Sequence, residues 1–168
     1  MRAYEWIARG RPRENGSIGR ALATAVAVGL AALLMAMAFG VYVDRWIALH
    51  LFVVGMLTLA FLHVTGNPRR PTGNTVASSI LIAASWAACI YFLAMHDVHA
   101  KRIPMIDELS IADMTAAIVL TGLVLEATRR VIGMTLVVLV LGFLAYGIWG
   151  DALPGAFSHR PLNAQEIV

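Results

Sequence analysis

Residues 21–43 and 131–150 carry no charged side chain at all. Each run is about as long as the roughly 20 apolar residues a helix needs to cross the hydrocarbon layer of a bilayer. A helix on a water-soluble domain keeps a polar face, so uninterrupted apolar runs of this length exclude an ordinary soluble fold. Composition agrees. Hydrophobic residues make up 60% of the 168 and charged residues only 14%, against about a quarter charged in soluble domains. The mean hydropathy is +0.76. The chain therefore reads as an all-α integral membrane bundle of about five transmembrane helices.

The remaining apolar blocks fill residues 46–64, 75–95 and 111–127. The fourth is the weakest, because Asp113 shortens its apolar part, and a short or re-entrant fourth would give four full spans and a half-span. Between the blocks lie a short Asp44-Arg45 turn, a loop over residues 65–74 rich in Gly, Pro and Asn, and a polar connection over 96–110. Ser110 with Asp113 three residues later fits a helix N-cap. A basic lead, an apolar run and Ala36-Met37-Ala38 give the outline of a cleavable signal peptide. Both lead and run are long for one, so the block is expected to stay as a span.

Positive charge orients the bundle. Arg2, Arg9, Arg11, Arg13 and Arg20 precede the first span, Arg69-Arg70 follow the second, and Arg129-Arg130 follow the fourth. With five spans these fall on one side, which the positive-inside rule makes cytoplasmic. Residues 1–20, with Tyr4, Trp6 and Ile7 among the arginines, read either as an interfacial stretch or as a solvated lead. The net charge of +3 is spent on this asymmetry, so no nucleic-acid partner is expected. Tyr42, Trp46, Tyr91, Tyr146 and Trp149 gather toward the opposite ends of their helices as an outer aromatic belt, and Trp86 at mid-span is expected against a partner helix.

Chemistry is sparse. There is no phosphate-binding Gly-rich loop, zinc-binding helix or nucleophile elbow, and no catalytic residue, cofactor or metal is assigned. His50 and His63 read as interfacial, the lone Cys89 as a small packing residue, and His96, His99 and the nearby acids as a solvated loop with no diagnostic metal spacing. Ala21, Ala25, Gly29, Ala32, Ala36 and Gly40 recur at spacings of three and four, a stripe of small residues suited to close helix packing in lipid. Glu126 stands three and four residues before Arg129 and Arg130, so all three share a helical face and can pair.

The segment Leu123-Val-Leu-Glu-Ala-Thr-Arg-Arg-Val-Ile-Gly133 resembles a characteristic stretch of the fused permeases of tripartite ATP-independent periplasmic (TRAP) transporters of the TAXI type. Phe143-Leu-Ala-Tyr-Gly-Ile-Trp-Gly150, Leu153-Pro-Gly155 and His159-Arg160 continue the likeness in the same order. It covers about residues 109–168, and residues 1–108 match only in hydrophobic layout. The resemblance implies a lead over 1–20, small-subunit-like helices over 21–108, and the start of the permease region over 109–168. It implies a scaffold in a bacterial inner membrane, partnered by the large permease subunit or its continuation and by a periplasmic TAXI-type binding protein that delivers an organic acid. Import would be ion-driven symport, with the sodium or proton sites in the large part and not in this chain. Glu126, Arg129, Arg130 and Gly133 match the motif, with an implied structural role. Two other readings stand beside it: a stand-alone membrane structural or assembly protein, and a membrane enzyme using His96 and His99.

Overall fold

A computed structural model describes residues 11–13, 16–65, 71–101 and 110–149. They form helices α1 (Ser17–Ala38), α2 (Arg45–His63), α3 (Pro71–Ala94), α4 (His96–Lys101), α5 (Ile111–Val131) and α6 (Met134–Trp149). Two residue pairs, β1 (Arg11–Pro12) and β2 (Val64–Thr65), bridge antiparallel with Arg11 opposite Thr65. The molecule is an all-α membrane helical bundle. Among the described residues four helices, in α1, α2, α3 and α5, are long and apolar enough to cross a bilayer. The fourth expected span is thus a full one of 21 residues, and α6, at 16, is the short apolar helix.

Capping groups explain where the helices end. Gly40, at φ +83°, closes α1: Val41 N–H donates to the Ala36 carbonyl and Gly40 N–H to that of Met37, the paired bonds of a Schellman turn. The first span therefore runs from Ser17 to Ala38, not to Val43, and Gly40 leaves the small-residue stripe. Asp44 caps α2 by accepting from the N–H groups of Trp46 (2.8 Å) and Ile47 (3.4 Å). The expected loop over 65–74 is shortened by α3, which begins at Pro71, and proline suits a first helical turn because no intrahelical bond needs its missing N–H. Ser110 and Asp113 form the expected capping box of α5. That helix continues through Arg129-Arg130, so the pair lies in its last turn. The reversal comes at Gly133, φ +121°, before α6.

Helix α2 is central, packing against α1, α3 and α5, while α6 rests on α5. The core is Leu57 and Phe61 of α2 with Leu123 and Ala127 of α5, sealed by Leu81, Ile82 and Ala84 of α3. Lipid gives no hydrophobic drive between helices, so close fit and interhelical polar contacts matter more there. Leu30 of α1 seats over Gly55 of α2 so closely that a Cβ on the glycine would lie 2.7 Å from its Cδ2. The stripe of small residues on α1 is not that packed face. Ala21, Ala25, Gly29 and Ala32 are exposed and Ala36 is half-buried, while Ala23 is buried and Val26, Leu30 and Leu33 are half-buried. Where α1 meets α2, the knob is on α1 and the gap on α2. Trp86, still 41% exposed, donates its indole N–H to Thr58 Oγ1 across the α2–α3 contact at 3.2 Å. Ser85 and Thr58, both buried, return their hydroxyls to carbonyls one turn back.

Candidate functional site

Polar side chains collect at the two ends of the bundle. At one end, the last turn of α5 brings Glu126, Arg129 and Arg130 together as their spacing requires. Arg129 forms a two-pronged bond to Glu126, Nε to Oε2 and Nη2 to Oε1, both at 2.8 Å. Arg130 Nε reaches the same Oε1 at 2.7 Å. The two arginines then differ. Arg129 keeps 23% of its side chain exposed, Arg130 only 4%. Arg130 turns inward, donating to Ser78 Oγ of α3 at 3.0 Å and lying 3.5 Å from the Val64 carbonyl. Its guanidinium also sits 5.1 Å from the centre of the Phe61 ring of α2, within range of a cation–π attraction. One side chain thus ties α5 to both neighbours. The buried Gly133 follows, its N–H bonded to the Thr128 carbonyl at 3.2 Å, and turns the chain into α6.

The same end holds the described part of the lead. Arg13 donates its backbone N–H to the His63 carbonyl at 2.7 Å and its Nη2 to Thr75 Oγ1 at 2.8 Å. Arg2, Arg9, Arg69 and Arg70 lie outside the described residues, as do residues 150 onward with Leu153-Pro-Gly155 and His159-Arg160 of the family likeness, while its Phe143–Trp149 part lies in α6.

The other end was read from sequence as a solvated connection, and for its first turn that is wrong. Helix α4 folds back over the bundle. His99 is enclosed, with 8% of its side chain exposed, and Nε2 lies 3.4 Å from Asp113 Oδ1. Tyr91 Oη donates to the same carboxylate oxygen at 2.7 Å, so this tyrosine turns inward and leaves the expected belt. Tyr42 and Trp149 remain exposed. Asp113, read only as a capping acid, therefore has a second role. His96 turns to a different acid, with Nε2 3.3 Å from Asp44 Oδ1, so the two histidines do not converge as ligands. Burial pushes the Asp44 carboxyl up, but the Ile47 and Trp46 N–H groups and His96 outweigh it and hold it below the usual carboxylate range. Trp46, His50 and Phe92 complete the packing around His99. His50 Nδ1 faces the Trp46 carbonyl at 2.8 Å and His63 Nδ1 that of Leu59 at 3.1 Å. Cys89 is buried, its Sγ 3.5 Å from the His50 carbonyl, and packs as expected. An open cavity of about 620 Å³ lies beside this cluster, walled by Met37, Tyr42, Trp46, Leu49 and His96.

Sequence reasoning found the Glu126–Arg129–Arg130 set through its spacing. It missed the pairing of Arg130 with Ser78 and Phe61 and the Tyr91–Asp113–His99 set, whose members meet only through packing. A scan against protein-family models and searches of the curated proteins and of the solved structures return no match to this chain.

Proposed function

We propose that this chain is the scaffold portion of a TRAP-type secondary transporter in a bacterial inner membrane, its N-terminus cytoplasmic. In this reading a large permease part carries the substrate and ion sites, and a periplasmic TAXI-type binding protein delivers an organic acid for ion-driven import. One observation carries the proposal. The 123–133 segment that bears the family likeness is also where the bundle is fastened. Leu123 and Ala127 lie in the core, Arg130, held by Glu126, links α5 to α2 and α3, and Gly133 makes the reversal into α6. A motif used for fastening fits a scaffold better than an enzyme. The charge layout supports the orientation. Arg13, Arg129 and Arg130 share one end, whereas at the other Arg45 and Lys101 stand among Asp44, Asp97 and Asp113.

The test is co-purification of the tagged chain from native membranes in mild detergent. A large multi-span permease in the eluate is the expected result. A chain that elutes alone, with no transporter gene beside its own, refutes the proposal and favours a stand-alone structural protein.

A further inference from the structure

The open cavity beside α4 lies where two spans meet. Helix α1 ends at Ala38, α2 begins at Arg45, and the short connection between them forms part of the cavity's rim. That rim stands at headgroup depth, and its exposed Tyr42 and Trp46 are of the aromatic types that gather there. Below it the wall changes character. Met37, in the last turn of α1, and Leu49, in the second turn of α2, carry the wall toward the span interiors, and both are exposed. The volume of about 620 Å³ is within the about 300–1,000 Å³ of small-molecule sites. A cavity polar at its mouth and apolar toward the hydrocarbon fits an amphiphile better than a water-soluble metabolite. Two opposite charges stand side by side on the rim. Asp44 commits Oδ1 to the Trp46 and Ile47 N–H groups and to His96, which leaves Oδ2 without a partner among the described residues. Arg45 is exposed and pairs with no acid among the described residues, whereas Arg129 and Arg130 share Glu126.

We propose that this cavity binds one phospholipid with a phosphoethanolamine headgroup, its phosphate on Arg45, its ammonium on Asp44 and an acyl chain along Met37 and Leu49. The two charged residues are consecutive, and the phosphate and ammonium of this headgroup are separated by a two-carbon bridge, so one headgroup reaches both. A guanidinium presents a planar fork of N–H donors that matches phosphate oxygens. A primary ammonium carries three N–H donors, and one of them meets the open Oδ2 of Asp44. Other lipids satisfy only half of the site. Phosphatidylglycerol brings the phosphate without a cation, and its negative charge falls beside Asp44. Phosphatidylcholine brings a cation that the Trp46 ring attracts, but with no N–H to donate to the carboxylate. The site is built from this chain alone, so it stands apart from the transporter reading.

Native mass spectrometry of the delipidated full chain in detergent, titrated with the three lipids bearing the same acyl chains, tests this. The parent should bind one phosphatidylethanolamine about tenfold more tightly than either other lipid, the effect of one charge-assisted hydrogen bond. Arg45→Gln, a change at an exposed side chain that the fold tolerates, should weaken phosphatidylethanolamine and phosphatidylglycerol alike by a similar factor. Asp44→Asn keeps a capping side chain at the start of α2 and should abolish the preference for phosphatidylethanolamine over phosphatidylglycerol. Arg20→Gln, also exposed but at the other end of α1, should leave both affinities unchanged. Glycerophosphoethanolamine, the same headgroup without acyl chains, should fail to displace the lipid even in large excess. Equal affinity for the three lipids, a preference that survives Asp44→Asn, or parent-like binding by Arg45→Gln overturns the proposal. So does a loss in Arg20→Gln equal to that in Arg45→Gln, or displacement by the chain-free headgroup.

Discussion

Replacing Arg130 should cost the bundle far more than replacing Arg129, although the two are adjacent and bind the same carboxylate. Arg130 is 4% exposed and meets Glu126 Oε1 at 2.7 Å, Ser78 Oγ at 3.0 Å, the Phe61 ring at 5.1 Å and, more weakly, the Val64 carbonyl at 3.5 Å. A hydrogen bond to a charged group contributes about 1.5–3 kcal/mol and a neutral one about 1, and a desolvated cation–π contact about 2. These do not add fully, because Glu126 keeps its two-pronged bond to Arg129 and is not left bare. Arg130→Ala should therefore lose about 3 kcal/mol. Arg129→Ala removes a side chain that water can reach and leaves Glu126 paired with Arg130, for a loss of about 1 kcal/mol. Glu126→Ala strands a buried guanidinium and should be worst, at about 4 kcal/mol. The gap of about 2 kcal/mol between the arginines is about a 30-fold difference in folding equilibrium. Equilibrium unfolding in mixed dodecylmaltoside and SDS micelles, followed by circular dichroism, measures it. Equal losses for the two arginine variants would refute the inward anchoring of Arg130.

Three further outcomes can be checked in the same micelles. Gly133→Ala forces a side chain into a backbone with φ +121° and should destabilise the chain by about 1–3 kcal/mol; an unchanged midpoint would show that the reversal is not needed. Gly55→Val crowds Leu30, whose Cδ2 would already lie 2.7 Å from a Cβ, and should cost about 1–3 kcal/mol. Adding Leu30→Ala should recover part of that, and a double variant worse than the sum would contradict the knob-in-gap contact. The Asp44 carboxyl sits below its ordinary range, so its contribution to the α2 cap is complete above about pH 4 and fades as pH falls through the lowered value. Acid titration of the parent against Asp44→Asn should show a constant stability difference above that pH and a shrinking one below; a difference that grows in acid would reverse the sign.

The features legible in the sequence are those that a few neighbouring residues determine. Apolar length gives the spans, the Ser110–Asp113 spacing gives a cap, and a three-and-four spacing gives the Glu126 cluster. Errors at the helix ends have local causes that were visible but ambiguous. Gly40 fits a packing stripe and a Schellman turn equally well on spacing, and only the chain's change of direction decides. Pro71 can end a helix or begin one. The face that α1 turns to α2 is set differently. A stripe of small residues shows where close approach is allowed, not on which helix the large partner sits, and here the gap belongs to Gly55.

What pattern could not show is which polar residues meet across helices. Arg130 and Ser78 are 52 residues apart, and Tyr91 and Asp113 are 22 apart; neither spacing has periodicity to read. Yet burial gives a rule that connects the two ends. A polar side chain within or beside an apolar span must be satisfied by another helix when its own turn cannot satisfy it. Arg129 is satisfied within its turn and stays partly in water, whereas Arg130 adds Ser78 and so fastens three helices. Asp113 accepts from the Ser110 N–H within its turn through Oδ2, and its Oδ1 meets Tyr91 and His99 from other helices. In both cases the polar atoms left over after local capping decide which helices are joined.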